Sequence, residues 1–247
     1  MYFFLFSLLI SSNLIAQSGF IVEETTVASF KMGSMKSSAH KYFSEDMYYS
    51  KIDFSFKGKG LARLMSRNMK NGTTISFQDS TIIKINHKKN RFTKTLLSEF
   101  LEEDSPSDKE NDESKKEEDK DEEKEEDSKP IVSDTIEIVN GFESYKVTDV
   151  SGDEGSSALL WFTSELQKSD IVTSMQSKID KFEKNWMNLD IDGDLSELGI
   201  NGNAVVVKAI FSGKDGEFEY NLKRYSAIDS IPEIFHTPEN YKQVKKL

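Results

Sequence analysis

Cysteine is absent from all 247 residues. That excludes disulfide staples, a catalytic thiol, a cysteine-ligated metal and the lipid-modified cysteine that tethers an exported bacterial lipoprotein. Histidines number three, His40, His87 and His236, and none stands at metal-ligand spacing from another. The G-x-S-x-G, H-E-x-x-H and G-x-x-x-x-G-K patterns are missing, which removes the short signatures of serine hydrolases, zinc peptidases and phosphate loops. Long hydrophobic runs are missing too. The longest, from Tyr2 to Phe6 and from Leu8 to Ile10, make up about half of the roughly 20 residues a membrane-spanning helix needs.

The N-terminal run therefore reads as an export signal over residues 1–18, with Ala16 and Ser18 as the small pair before the cut. No Lys or Arg precedes it, so either the α-amine alone supplies the positive charge or the leader begins further upstream. The expectation is a periplasmic or secreted bacterial protein, not a lipoprotein, with no stable membrane insertion once the signal is removed.

The formal net charge is −11, and it is concentrated in one place. Glu102 to Asp127 holds 16 acidic and 5 basic residues, a net of −11, which leaves the remainder at 27 against 27. A neutral remainder has no bias toward nucleic acid or an anionic membrane surface. The acidic stretch has no aliphatic or aromatic side chain to bury, so residues 101–130 read as a disordered insertion. Lengthening a surface loop from about 4 to about 28 residues costs only about 1.7 kcal/mol, which a single domain over 19–247 can tolerate.

Strand signals flank the insertion on both sides. Ile52, Phe54 and Phe56 alternate with Asp53 and Ser55, the period of a strand with one buried face. TTISFQD, STIIKIN and RFTKTLLSEF follow, with Asn71-Gly72, Asp79-Ser80 and NHKKN read as turns. Beyond the insertion come DTIEIV, an Asn140-Gly141 turn, ESYKVTDV, SALLWFT, and a last hairpin turning at Gly213–Gly216, whose Phe218, Tyr220 and Leu222 share a face. The spacing of Ile171, Val172, Met175, Ile179, Phe182 and Trp186 predicts one long helix over 169–188. GLARLMSRNM predicts a shorter one, with Leu61, Leu64, Met65 and Met69 on one side. The fold expected is α+β, one curved antiparallel sheet with both helices on its concave face.

Chemical motifs are few. Ser38-Ala39-His40-Lys41 matches S-x-x-K, but the S-D-N and K-T-G elements that accompany it in penicillin-binding enzymes are absent. Asp190, Asp192 and Asp194 occupy positions one, three and five of a calcium-loop pattern. Leu195 then stands where glycine is needed and Asn201 where the bidentate glutamate belongs, so an Asp-rich turn explains them equally well. The reading is of a protein with no cofactor, no metal site and no catalytic residue. A hydrolase with a carboxylate site that leaves no motif is the remaining enzymatic alternative.

Taken in order, GFIVEETTVASFKMG, KGKGLARLMSRNM, ISFQDSTIIKINHKKNRFTK, IVNGFESYKVTDV, LLWFTSEL and the closing IPEIFHTPENYKQV resemble a family of uncharacterised exported bacterial envelope proteins. That family is similar in outline to the LolA-type lipoprotein carriers. The resemblance implies a half-barrel sheet with helices across its hollow side and an apolar cavity between. It places no functional residue of the carriers on this chain. The cavity reading names Phe54, Phe56, Leu64, Met65, Met69, Phe218, Tyr220 and Leu222 as lining for a lipid, an acyl chain or a lipidated or apolar envelope protein. The alternative is that they pack an ordinary filled core in a structural or interaction protein of the envelope. The tail is expected to dock, with Ile231, Ile234 and Phe235 capping the open end of the core and Pro232 and Pro238 fixing the path.

Overall fold

The computed structural model describes residues 19–60, 63, 67–103, 131–149, 156–180, 182, 203–230, 235 and 237–247. Six strands precede the acidic stretch: β1 (Gly19–Phe30), β2 (Gly33–Phe43), β3 (Met47–Gly58), β4 (Arg67–Ser76), β5 (Thr81–Asn86) and β6 (Arg91–Leu96), followed by α1 (Leu97–Glu103). Six follow it: β7 (Ile131–Val139), β8 (Phe142–Asp149), β9 (Ser157–Gln167), then α2 (Asp170–Ile179), β10 (Ala204–Gly213), β11 (Gly216–Ile228) and β12 (Lys242–Gln243).

All twelve strands form one sheet, in the order β12-β6-β5-β4-β3-β2-β1-β11-β10-β9-β8-β7. β1 lies between β2 and β11 and pairs antiparallel with both along its length, so the two halves of the sequence share one hydrogen-bonded layer. Hairpins account for most other pairings. At Asn140 (φ 54°) and Gly141 (φ 91°) both central residues adopt positive φ, the turn whose twist matches that of the strands it joins.

The sheet is open, with β7 at one edge and β12 at the other. This corrects the expected half-barrel under a long helix. The two helices among the described residues are short, and α2 ends at Ile179 instead of continuing to residue 188. Beyond it the Phe182 amide bonds to the Ile179 carbonyl at 2.8 Å, and the Phe182 ring packs against Phe77 and Phe100. Tertiary aromatic contacts end the helix although the apolar spacing continues, because propensity yields to packing. Trp186 lies outside the described residues.

The short helix expected around Leu61 to Met69 is also corrected in part. Met69 is in β4, paired with Phe54, where a ten-residue ladder outweighs a weak helical spacing. Leu61, Leu64 and Met65 lie outside the described residues. Asn71-Gly72, expected as a turn, sits inside β4. Leu97 to Phe100, expected to continue a strand, and Leu101 to Glu103, expected to open the disordered insertion, form α1.

Three buried clusters hold the sheet. Val22, Phe43, Tyr48, Ile75, Ile82 and Leu222 receive Met175 and Ile179 of α2. Val147, Leu160, Phe162, Ala204 and Ala209 form a second cluster. On the opposite face of β1–β3, Ile21, Tyr42 and Tyr49 enclose Phe235.

The C-terminal tail thus docks, but on the back of the sheet. Phe235 is 4% exposed, and its ring lies 6.1 Å from that of Tyr42 and 5.7 Å from that of Tyr49. The chain then reaches the far edge, where Lys242 and Gln243 pair in parallel with Arg91 and Phe92. Ile231, Pro232 and Ile234 lie outside the described residues. Phe235→Ala should cost about 3 kcal/mol, as burial of a whole ring requires, read as a lower denaturation midpoint. An unchanged midpoint would show that the tail contributes nothing to the fold.

Candidate binding surface

Strand register places the proposed lining residues. Tyr220 stands opposite Thr26, which faces Ser37, then Phe54, then Met69. One step along the strands, Phe218 stands opposite Ala28, Met35 and Phe56. In the other direction, Leu222 stands opposite Glu24, Ala39 and Ile52. Residues two apart on a strand share a face, so Phe54, Phe56, Met69, Phe218, Tyr220 and Leu222 occupy one face in three adjacent rows. Leu64 and Met65 lie outside the described residues.

The same face carries the α2 contacts further along the strands, and there the six residues divide. Leu222 is fully buried against α2, and Tyr220 packs against two of the clusters. Phe54, Phe56, Met69 and Phe218 are half-buried and belong to none of the three. Other rings lie beside them: Phe30 stacks on Phe56 with centroids 6.1 Å apart, and Phe211, which packs against the second cluster, lies 6.0 Å from Phe218. Where the strands end at the β10–β11 turn, an open depression of about 830 Å³ is lined by Ala28, Phe30, Phe211 and Phe218 together with the turn.

Phe30, Met35 and Phe211 were not singled out by sequence. Only the cross-strand register brings them beside Phe56 and Phe218. Sequence alternation gives each strand two faces but not which face of its neighbour it joins.

A polar trio marks the border between the helix-covered rows and the half-buried ones. Lys41 Nζ meets Glu24 Oε1 at 2.7 Å, with both side chains largely buried. Tyr220 Oη donates to Glu24 Oε2 at 3.5 Å. Burial, reinforced by the Glu24 carboxylate, pushes the Tyr220 phenol well above its ordinary range. It is therefore a proton donor at neutral pH, and the three groups satisfy one another.

The motifs weighed in the sequence come apart in space. Ser38 and Lys41 are three apart on β2, so their side chains leave opposite faces and cannot converge as a nucleophile and its partner. His40 lies near Glu23, at 3.7 Å, and His87 follows β5, against Tyr241. His236, Asp190, Asp192 and Asp194 lie outside the described residues. Among the described residues no group of three or more His, Asp or Glu is placed to hold a metal ion, and no helix is long and apolar enough to cross a membrane.

His87 fastens the tail. Its Nδ1 lies 3.1 Å from Tyr241 Oη, edge to face with the ring. Its Nε2 occupies the space left by the missing side chain of Gly72, where an added Cβ would come within 3.0 Å. A side chain at this mid-strand position would press on the His87 ring. Burial lowers the His87 pKa from its ordinary 6.5. Lys51 and Lys70 push the same way, and Asp53 opposes them.

No protein-family model matches the chain, and no curated protein matches it. Among solved structures, PNGF-II in a C2 crystal form is 9% identical at a TM-score of 0.30, over 92% of this chain and 30% of that one. PNGF-II in a P21 form is 7% identical at 0.27, over 92% and 32%. A DUF1329 family protein from Desulfovibrio piger is 10% identical at 0.23, over 89% of both chains. This chain spans about a third of the PNGF-II length. Overlaps this slight carry no argument about fold or activity, and the envelope-family resemblance remains an expectation.

The depressed His87 pKa has a consequence for stability. The unfolded chain binds the proton first as pH falls, so native stability declines as pH drops below 6.5 toward the lower native value, and is kept above 6.5. Replacing His87 with Asn should flatten this part of the melting temperature against pH. An identical slope in the variant would show that His87 is not its source.

Proposed function

We propose that this protein is a non-catalytic binding protein of the bacterial cell envelope, exported to the periplasm or beyond, that holds an acyl chain on the front of its sheet. One observation carries the reading: Phe54, Phe56, Met69 and Phe218 lie in adjacent rows of one face, half-buried and outside every packed cluster. Apolar surface left in water costs about 25 cal/mol per Å², and a contiguous patch of it marks a binding site.

An acyl chain suits the dimensions. From Phe211 on β10 to Met69 on β4 the strip crosses six neighbouring strands, roughly 24 Å at a strand spacing of about 4.8 Å. The rings and thioether supply an adaptable apolar lining, interrupted by Thr26 and Ser37 between Tyr220 and Phe54. The Lys41–Glu24–Tyr220 trio supports binding over catalysis because its members are engaged with one another.

Purified protein should carry an apolar adduct in native mass spectrometry and should bind a dansyl-labelled fatty acid with a blue-shifted emission. Phe54→Ser should weaken that binding about tenfold, the equivalent of roughly 1.5 kcal/mol of lost burial. Because the ring is half-buried and outside the packed clusters, the variant should still fold. A dye that neither binds nor responds to Phe54→Ser would remove the acyl-chain reading.

A further inference from the structure

Outside the acidic stretch the chain is neutral by composition, but the fold does not spread its charge evenly. Where β1 ends, β2 begins and β3 ends, four cations are gathered. Lys31 lies in the β1–β2 turn, Lys57 near the end of β3, and Lys59 and Arg63 in the connection to β4. All four are exposed. Among the described residues one acid reaches them, Asp215 of the β10–β11 turn, which pairs with Lys31 at 3.1 Å. Lys214 and Glu217 beside it cancel, so this corner keeps a net of three positive charges.

Met32 stands between Lys31 and the end of β3, 67% exposed. Its turn is fastened to that strand: the Met32 carbonyl accepts the Lys59 amide at 2.8 Å, and a Cβ at Gly33 would collide with the Lys57 carbonyl oxygen. The apolar side chain therefore projects into water from a fixed base. Two residues back, Phe30 stacks on Phe56. The open depression lined by Phe30, Phe211 and Phe218 lies at this same end of the strands, so the apolar strip and the cationic corner adjoin.

An exposed apolar tip among lysines selects its partner. A turn tip is convex and small, whereas a specific protein interface buries about 800 Å² on each side. A fluid layer of anionic headgroups needs no shaped complement. Each Lys or Arg adds its own attraction to such a surface, and an apolar tip gains burial beneath the headgroups. The acidic stretch is attached elsewhere. It leaves after α1, which follows β6 at the opposite end of the strands, and it rejoins at Ile131 on the β7 edge. That edge is five strand spacings from β1, roughly 24 Å, or about three screening lengths at physiological salt.

We infer that this corner docks on an anionic lipid surface, with Met32 sunk at headgroup level, Lys57, Lys59 and Arg63 on the phosphates, and the apolar strip opening toward the bilayer. The purpose of the contact, passage of an acyl chain between bilayer and strip, rests on the acyl-chain reading. The docking itself stands on the charge and exposure of the corner.

The test mixes the full chain with vesicles of phosphatidylcholine and phosphatidylserine, or of phosphatidylcholine alone. It should sediment with the mixed vesicles, less so as salt rises, and not with the neutral ones. Lys57→Glu combined with Lys59→Glu should raise the vesicle Kd about tenfold or more, and Met32→Ser about threefold. Circular dichroism should stay native, since all three side chains are exposed. Without vesicles, the double variant should bind the dansyl-labelled fatty acid as the unmodified chain does, which separates loss of docking from loss of acyl binding. Equal sedimentation with neutral vesicles, or a Kd unmoved by the double substitution, would overturn the inference. A Kd indifferent to Met32→Ser would reduce the contact to charge alone, which an acidic protein segment satisfies equally, and would overturn the lipid assignment.

Discussion

β1 is the constraint on which the rest of the fold depends. It hydrogen-bonds along its whole length to β2 on one side and to β11 on the other, and β11 comes from the far end of the sequence. Without that pairing the strands before the acidic stretch and those after it would form two smaller sheets, each with a long unsatisfied edge. Its close fit explains Gly216: a Cβ there would collide with the Ser29 carbonyl oxygen. Such long-range pairing is expensive in loop-closure entropy and is recovered only when most of the ladder forms together.

Register along β1 also decides which side chains meet. On the front face it lines up Val22 with the rows under α2, Glu24 with Leu222, Thr26 with Tyr220 and Ala28 with Phe218. The face is consequently graded from a closed core beneath the helix, through the Lys41–Glu24–Tyr220 border, to half-buried rings at the β10–β11 end. A buried ion pair is costly to desolvate and adds little net stability, and the Lys41–Glu24 pair offsets that cost with a 2.7 Å contact and the Tyr220 hydroxyl. On the back, the tail crosses the strands as a strap, with Phe235 among tyrosines and Tyr241 on His87. The front can therefore remain partly open because the same strands are packed from behind.

Much of the layout was legible in the sequence. Alternation at Ile52–Phe56 and at Phe218–Leu222 identifies β3 and β11, and Asn140-Gly141 and Gly213–Gly216 mark hairpin turns. Phe235 reads as a docked residue for the same reason, since an aromatic ring has no use in a solvated tail. What failed were segments whose local pattern fits two structures. Met69 satisfies a helical spacing and a strand alternation equally, and Phe54 on the neighbouring strand decides between them. The run after Ile179 keeps a helical period, but Phe182 lies outside α2 and packs on the Phe77 and Phe100 rings.

The sequence by itself determined that no thiol chemistry or disulfide is available, that the charge sits in one stretch, and that the segments flanking that stretch alternate as amphipathic strands. These are properties of composition and of period two, which a residue carries wherever it is placed. Only the tertiary structure decided that Phe30, Met35 and Phe211 join the named rings, that the tail packs on the back of the sheet, and that β7 is an edge. Each of those depends on which strand lies beside which and in what register. That is a matter of hydrogen bonds between strands as far apart in sequence as Gly19 and Ile228, and no local pattern encodes it.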